Sequence, residues 1–166
     1  MSNDPVSQPL QTLTSKDDRT VLKLNQFLPY RLVHLAETVS RSFSQIYADQ
    51  YGIGIPEWRL LATLGEHEAM TARDIGTATS MHKTKVSRAV AALETRGFVE
   101  REKNPDDLRE QMLKLSAKGS EVYSELVPKA LAYSKELEDA LTDEQNGALS
   151  EIFERLNKAA SNFHPE

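Results

Sequence analysis

Five polar or basic side chains between positions 83 and 88 are the residues whose types and spacing best suggest chemistry. They are Lys83, Thr84, Lys85, Ser87 and Arg88. Apolar residues recur among and after them at spacings of three and four, at Val86, Ala89, Val90 and Leu93, which predicts one helix with one buried face. The polar set falls largely off that face, near the helix N-terminus, where the helix dipole favours phosphate. The pattern therefore predicts a helix that contacts nucleic acid.

The segments around this helix predict how it is positioned. Thr71 and Asp74 fit a capping box that opens a short helix, and residues 79–82 interrupt the pattern as a turn. Gly97 follows the second helix as a left-handed residue at its end. Residues 98–101 and 112–115 read as two strands around a turn at 104–107, with Lys103 and Arg109 at the hairpin tip. This order predicts a helix-turn-helix followed by a wing, in which the second helix enters the major groove.

Two simpler interpretations of this region stay open. A helix-turn-helix pattern also occurs in ordinary three-helix cores, and a charged helix face also serves only to keep a surface solvated. The charge distribution favours a nucleic-acid role, because residues 81–96 hold four Lys/Arg and one Asp/Glu although the whole chain has a net charge of −5. Positive charge is thus concentrated where phosphate contact is expected.

Three runs of sequence carry a family resemblance: TARDIGTAT, KTKVSRAVAALETRGFVER and NPDDLREQMLKLSAKG. They resemble the winged helix of the MarR (multiple-antibiotic-resistance type) family of transcriptional regulators, and the resemblance covers roughly residues 25 to 160. The last run is similar to the family's wing signature, which falls here on Asp107, Arg109, Leu115, Ser116 and Gly119.

The resemblance implies an obligate homodimer, a palindromic double-stranded DNA operator and control by a small ligand, often an aromatic acid. Arg109 would enter the minor groove, oriented by Asp107, and Lys103 would lie at the wing. Three positions depart from the family pattern. His82 stands where relatives often have Asp, Leu108 stands where many have a second Arg, and Glu110 replaces a neutral or basic residue. The wing is therefore less basic than in many relatives.

The rest of the chain predicts long helices around the winged helix. The fold class expected is mainly α with a small β-wing, a winged helix-turn-helix flanked by long dimerisation helices. Residues 1–20 read as a disordered tail, residues 21–55 and 116–163 as the helical dimerisation region, and residues 56–115 as the DNA-binding region. One winged helix is too small to bury all the apolar faces, so a partner chain is the simplest way to cover them. An intramolecular helical subdomain is the alternative.

Composition excludes several function classes. The 166 residues include no cysteine, which excludes disulfides, thiolate zinc sites and a thiol switch. No nucleotide-binding loop, nucleophile elbow or metalloprotease motif occurs, and the histidines lack metal-ligand spacing. We therefore expect no enzyme, no cofactor and no metal. No apolar stretch is long enough for a membrane span, and the first residues lack a secretory signal pattern, so the expected location is the cytoplasm.

A ligand site is predicted from the family resemblance, which places effectors where the dimer helices meet the winged helix. The polar and aromatic residues available there are Tyr30, Arg31, His34, Trp58 and Arg59. An aromatic carboxylate, or its coenzyme A thioester, needs a cation and flat apolar walls. Arg31 or Arg59 would supply the cation, while Trp58 and Tyr30 would supply the walls. The alternative is that Trp58 belongs to the core and that both arginines lie at the surface or contact phosphate.

Two functions are consistent with these patterns. The first is a homodimeric transcription factor, a repressor released by a small ligand. The second is a winged helix used for protein–protein contact without sequence-specific DNA binding. The two differ in salt dependence, because a protein that neutralises several phosphates loses DNA affinity steeply as salt rises.

Overall fold

The computed structural model describes residues 21–103 and 110–163, and these form a mainly helical protein with one small sheet. A short 3₁₀ turn, Leu24–Gln26, precedes the first helix. The helices are α1 (Leu28–Tyr51), α2 (Ile55–Glu66), α3 (Ala72–Thr79), α4 (Lys83–Thr95), α5 (Ala117–Asp139) and α6 (Asp143–Ser161). The strands are β1 (Met70–Thr71), β2 (Val99–Lys103) and β3 (Gln111–Leu115). The predicted fold class is confirmed. The predicted tail at 1–20 and the wing tip with Asp107 and Arg109 lie outside the described residues.

The chain divides into two compact units, residues 1–46 and 47–166. The described part of the first unit holds the 3₁₀ turn and most of α1. The apolar pattern at spacings of three and four extends back to residue 24, but the structure starts the α-helix at Leu28. The apolar spacing continues through the 3₁₀ turn, so periodicity cannot distinguish the two kinds of helix. Pro29 lies in the first turn of α1, where its missing N–H leaves no hydrogen bond unmade.

The second unit contains the winged helix. Its first helix, α2, has Pro56 in its first turn, and the Glu57 carboxylate accepts a hydrogen bond from the Gly54 N–H at 2.9 Å. Leu60, Leu61 and Leu64 are buried, and α2 packs against α3, α4 and α5. Spacings of three and four thus put one apolar face of α2 into the core of this unit.

The sheet is antiparallel, with strand order β1-β3-β2. Strand β3 lies in the middle and pairs Leu113 with Met70 on one side and with Arg101 on the other. The sequence predicted β2 and β3 but not β1, because two residues carry no period-2 signal. This short strand, Met70–Thr71, ties the start of α3 to the wing hairpin.

The last two helices begin at side-chain caps that the sequence predicts or allows. The Ser116 hydroxyl accepts from the Gly119 N–H at 3.0 Å, and Thr142 and Gln145 form a capping box. Gly119 lies so close to β2 that an added Cβ would overlap the Phe98 carbonyl. Only a glycine therefore allows the start of α5 to approach the wing this closely.

Several large apolar side chains remain exposed within each unit. In the first unit they include Leu24, Leu28 and Leu35, and in the second they include Leu131, Ile152, Phe153 and Phe163. None of the residues of α6, all of which are described, is buried. Helices with long apolar faces normally cover them, so these faces suit contact with another surface.

Candidate nucleic-acid interface

The helix-turn-helix is built on a tight turn between α3 and α4. Ser80 adopts the left-handed conformation at φ 54°, and the Met81 N–H donates to the Gly76 carbonyl at 3.0 Å. A Cβ on Gly76 would lie 3.2 Å from the Met81 carbonyl oxygen and 3.6 Å from the side chain of Val86. The lack of a side chain at Gly76 therefore lets the turn fold back onto α3 and sets the direction in which α4 begins.

The N-terminus of α3 departs from the predicted capping box in one detail. The Thr71 hydroxyl accepts from the Asp74 N–H at 3.2 Å, as predicted. The Asp74 carboxylate, however, accepts from the Thr71 hydroxyl at 2.7 Å, where a complete box would engage the Thr71 backbone N–H. Thr71 is at the same time the last residue of β1.

Helix α4 has one buried and one exposed face. Val86, Ala89, Val90 and Leu93 are buried at 1% exposure or less. All five residues predicted to contact DNA on this helix, Lys83, Thr84, Lys85, Ser87 and Arg88, are exposed. Within residues 21–103 and 110–163, neither of the two lysines nor Arg88 takes part in an ion pair. Their charges are therefore available to an external anion.

His82 caps the N-terminus of α4. Its Nδ1 accepts from the Thr84 N–H at 3.4 Å, a long hydrogen bond. An acceptor at this position satisfies a helix N–H that has no partner in the helix itself. The sequence pattern indicated that His82 departs from the family but did not predict that it caps α4, because histidine is not among the common N-cap residues.

The C-terminus of α4 ends in the predicted left-handed glycine. Gly97 has φ 71°, the Phe98 N–H donates to the Leu93 carbonyl and the Gly97 N–H donates to the Glu94 carbonyl, both at 2.9 Å. This is a Schellman motif. The Arg96 guanidinium then donates to the Gly52 carbonyl at 2.6 Å, which ties the end of α4 to the turn that follows α1.

The residues next to Gly52 are tied to α5. The Tyr51 hydroxyl donates to the Glu125 carboxylate at 2.5 Å, and Lys129 donates to the Gln50 side-chain oxygen at 2.5 Å. Burial, together with the Glu125 carboxylate, raises the pKa of Tyr51 to about 12. Helices α4 and α5 are thus both held to the chain around Gly52.

The wing is held to α4 by Arg101. Its Nε and one terminal nitrogen donate to both Glu94 carboxylate oxygens, at 2.5 and 3.0 Å, and its other nitrogen donates to Gln111 at 3.0 Å. The hydrogen bond from Arg101 holds the pKa of the Glu94 carboxyl below its ordinary value. This two-pronged contact joins α4, β2 and β3 at one point.

Four other charged residues in the described part of the wing are also paired: Glu100, Glu102, Glu110 and Lys114. Lys114 bridges Glu102 at 2.7 Å and Glu100 at 3.4 Å across the hairpin, and Arg73 of α3 pairs with Glu110 at 3.0 Å. Lys103, predicted to contact DNA, is exposed at the end of β2. The sequence did not find Arg73, Glu94 or Arg101 as parts of this surface, because their partners lie 7 to 37 positions away along the chain.

A cleft of about 860 Å³ lies between α3, α4 and the sheet. Its lining includes Arg73, His82, Lys83, Ser87 and Arg101. It is therefore part of the same surface as the exposed face of α4.

The residues predicted to bind a ligand fall into both units. Tyr30, Arg31 and His34 are exposed on α1 in the first unit, with the rings of Tyr30 and His34 at a centroid distance of 6.1 Å. In the second unit, the half-buried Trp58 ring stacks on the buried Tyr47 at 5.5 Å, and Arg59 is exposed. Trp58 thus has a packing role in α2.

Comparisons with known proteins agree with this geometry. The model of the MarR family matches residues 53–111. An uncharacterised HTH-type transcriptional regulator of Bacillus subtilis, YwoH, is 25% identical over 130 residues, which are 78% of this chain and 93% of YwoH.

Among solved structures, Sco3205 of Streptomyces coelicolor, a MarR-family regulator in complex with DNA, is 25% identical with a TM-score of 0.72. The match covers 87% of this chain and 92% of Sco3205. The MarR-family regulator SPO1453 of Silicibacter pomeroyi is 28% identical with a TM-score of 0.68, over 82% of this chain and 99% of SPO1453.

The winged helix of this chain matches the model of the MarR family of transcriptional regulators, and most of the chain is similar to solved structures of MarR-family regulators. The family resemblance seen in the sequence is confirmed. In the described part of the chain, no helix is both long and apolar enough to cross a membrane.

Proposed function

We propose that this chain is a DNA-binding transcriptional regulator that acts as a homodimeric repressor and is released from its operator by a small ligand. The observation that carries the DNA-binding part is the face of α4 that exposes Lys83, Lys85 and Arg88 without an ion-pair partner in the described structure. The DNA complex of the relative Sco3205 supports the same role. This function would be carried out in the cytoplasm, where the DNA is.

The DNA contacts are assigned to α4 first and to the wing second. The residues that would face the major groove and its phosphates are Lys83, Thr84, Lys85, Ser87 and Arg88. Lys103, and Arg109 oriented by Asp107, would reach the neighbouring minor groove or backbone. In this division residues 56–115 bind DNA, and residues 21–55 and 116–163 form the dimer.

The dimer is supported by the apolar side chains that each unit exposes. Phe153 and Ile152 on α6 each keep 49% of their surface exposed, and Leu131 on α5 keeps 65%. Burial of such surface in a second copy is favourable, and twofold symmetry is the commonest closure. A dimer would place two recognition helices against a palindromic operator, with half-sites about 34–36 Å apart.

The ligand is proposed to be a small aromatic acid or its coenzyme A thioester. Such an anion needs a cation and a flat ring, which Arg31 and Tyr30 could supply in the first unit and Arg59 and Trp58 in the second. The ligand acts only if it binds the DNA-competent and DNA-incompetent states unequally.

The test is fluorescence anisotropy with the DNA immediately upstream of the coding region, at two salt concentrations, with and without a panel of aromatic acids. Tight, salt-sensitive binding that one compound releases supports the proposal. If neither this DNA nor a random-sequence library yields a preferred site, the regulator is excluded and a protein–protein role for the winged helix replaces it.

The dimer has its own test in sedimentation. The full chain should sediment at twice its monomer mass of 18.6 kDa, and Phe153→Asp should shift it to monomer and weaken operator binding by at least tenfold. Lys158→Gln, on the opposite face of the same helix, changes the net charge by the same one unit without removing apolar surface, and should leave the dimer intact. A wild-type chain that sediments as a monomer would exclude the dimer.

A further inference from the structure

The exposed face of α4 can be divided into a central stripe and two flanks. Successive residues turn by about 100° around a helix, so the direction opposite to the buried face can be calculated from that face. Four exposed residues lie along this direction, at spacings of four, three and four, and form the central stripe: Thr84, Arg88, Ala91 and Thr95. Lys83, Lys85 and Ser87 lie to either side of this stripe.

A helix in the major groove presents these two sets to different parts of DNA. The groove is about 12 Å wide, similar to a helix with its side chains. The central stripe therefore faces the base edges on the groove floor, and the flanks face the two phosphate rows. Lys83, Lys85 and Ser87 accordingly suit phosphate, while the stripe suits bases.

The chemistry of the stripe limits which bases it reads. Arg88 is its one side chain with paired donors, and such a fork matches O6 and N7 of guanine. All 13 residues of α4 are described, and they include no Asn or Gln to read adenine. Their one carboxylate, Glu94, which would accept from cytosine, is held by Arg101.

The remaining members of the stripe offer methyl groups. Thr84 and Ala91 each carry one, and a methyl group favours contact with the 5-methyl of thymine. The Thr95 hydroxyl is already bonded to the Ala91 carbonyl at 2.8 Å. Thr84 precedes Arg88 by four residues and Ala91 follows it by three, roughly 6 and 4.5 Å along the helix at 1.5 Å per residue. These lengths correspond to about one or two base-pair steps.

We infer that α4 recognises a half-site in which Arg88 binds a guanine and the methyl groups of Thr84 and Ala91 contact thymines within about two base pairs of it. This helix has no Asn or Gln that could read adenine through paired hydrogen bonds, and its one carboxylate, which could accept from cytosine, is held by Arg101. The inference rests on the proposed DNA-binding function and names the base chemistry of its site.

The test begins with selection of preferred sites from random double-stranded DNA by the full chain. Each guanine of the selected site is then replaced by 7-deazaguanine, which lacks the N7 acceptor, and each thymine by uracil, which lacks the 5-methyl. Replacement of one guanine per half-site should lower the affinity of the protein for the DNA by about tenfold or more. Replacement of a neighbouring thymine should lower it by about two- to fivefold.

Two variants assign these effects to side chains. In Arg88→Ala the 7-deazaguanine effect should disappear, and in Thr84→Ser, which keeps the hydroxyl and loses the methyl, one uracil effect should disappear. Lys83→Ala is the control: it should weaken binding to every DNA alike and keep both base effects.

The outcomes separate this inference from the function on which it rests. A selected site whose affinity changes with neither replacement, or whose guanine effect persists in Arg88→Ala, overturns the inference and leaves the DNA-binding regulator in place. A selection that enriches no sequence overturns the regulator and the inference together.

Discussion

The recognition helix and the wing carry similar numbers of basic residues, but the two regions use them differently. On α4 the side chains of Lys83, Lys85 and Arg88 have no acidic partner in the described structure. In the wing, Arg101 binds Glu94, and Lys114 binds Glu100 and Glu102. Counted by basic residues alone, three in Lys83–Thr95 and four in residues 99–115, the two regions look alike, although the wing also carries five acidic residues against one in α4.

The difference teaches that basic residues contribute to DNA affinity only if they are not neutralised within the protein. An exposed lysine releases counterions from DNA when it reaches a phosphate. A lysine already paired with two carboxylates brings little net charge to the interface. Arg101 and Lys114 of the wing therefore serve its internal order, and the contact with DNA that we propose is assigned first to α4.

The largest expected effect concerns how the wing is anchored. Gly119→Ala should destabilise the protein by roughly 2–3 kcal/mol, because its Cβ would collide with the Phe98 backbone carbonyl and push β2 away from α5. Urea unfolding followed by circular dichroism measures this. Gly147→Ala is the matched control in α6, where nothing lies within 4 Å of the added Cβ, and it should be neutral or stabilising. Equal effects at both sites would mean that Gly119 does not set the approach of α5.

The next effect tests whether the cations of α4 contribute more to DNA affinity than the paired cations of the wing. Replacing Lys83 and Lys85 together by Ala should lower operator affinity by about ten- to hundredfold. It should also reduce the slope of log affinity against log salt by about two, since each phosphate that is no longer neutralised accounts for about 0.9. Lys114→Ala should change the slope by less than about one, since Lys114 is paired within the wing. The measurement is anisotropy over a series of salt concentrations.

A larger slope change for Lys114→Ala than for the α4 pair would reverse the assignment of phosphate contacts.

The smallest effect concerns the contact that joins the two regions. Arg101→Ala should cost about 0.5–1 kcal/mol at neutral pH, a modest value because both partners are partly exposed and solvent screens them. Arg155→Ala, which removes a more exposed pair with Glu151 on α6, should cost less. Urea unfolding of both variants and the wild type gives the comparison.

The same contact predicts a dependence on pH. Arg101 lowers the pKa of Glu94 in the folded protein from its ordinary 4.5, so the unfolded chain takes up a proton first as the pH falls. The stabilisation is therefore fully present above about pH 4.5 and is lost as the pH falls through the folded value. The cost of Arg101→Ala should shrink between about pH 7 and about pH 3.5, and a cost that stays constant would contradict this origin.

Much of the interface follows from the sequence because it depends on neighbours along the chain. The left-handed Gly97 and the caps at Thr71 and Thr142 rest on contacts within about five residues, and the apolar face of α4 is visible in spacings of three and four. Spacing, helix dipole and cap chemistry are all local, so a pattern in the sequence predicts them directly.

Tertiary structure decided which charges remain available. The bonds of Arg101 to Glu94, of Arg73 to Glu110 and of Arg96 to Gly52 join residues 7 to 44 positions apart. Strand β1 exists only because β3 passes beside it. The sequence by itself predicted the α-helices, the two longer strands, the family resemblance and the basic helix, because those depend on local periodicity and composition. Only the fold could pair Arg101 and Lys114 of the wing and leave the cations of α4 exposed, because pairing depends on which distant carboxylates the chain brings within hydrogen-bonding distance.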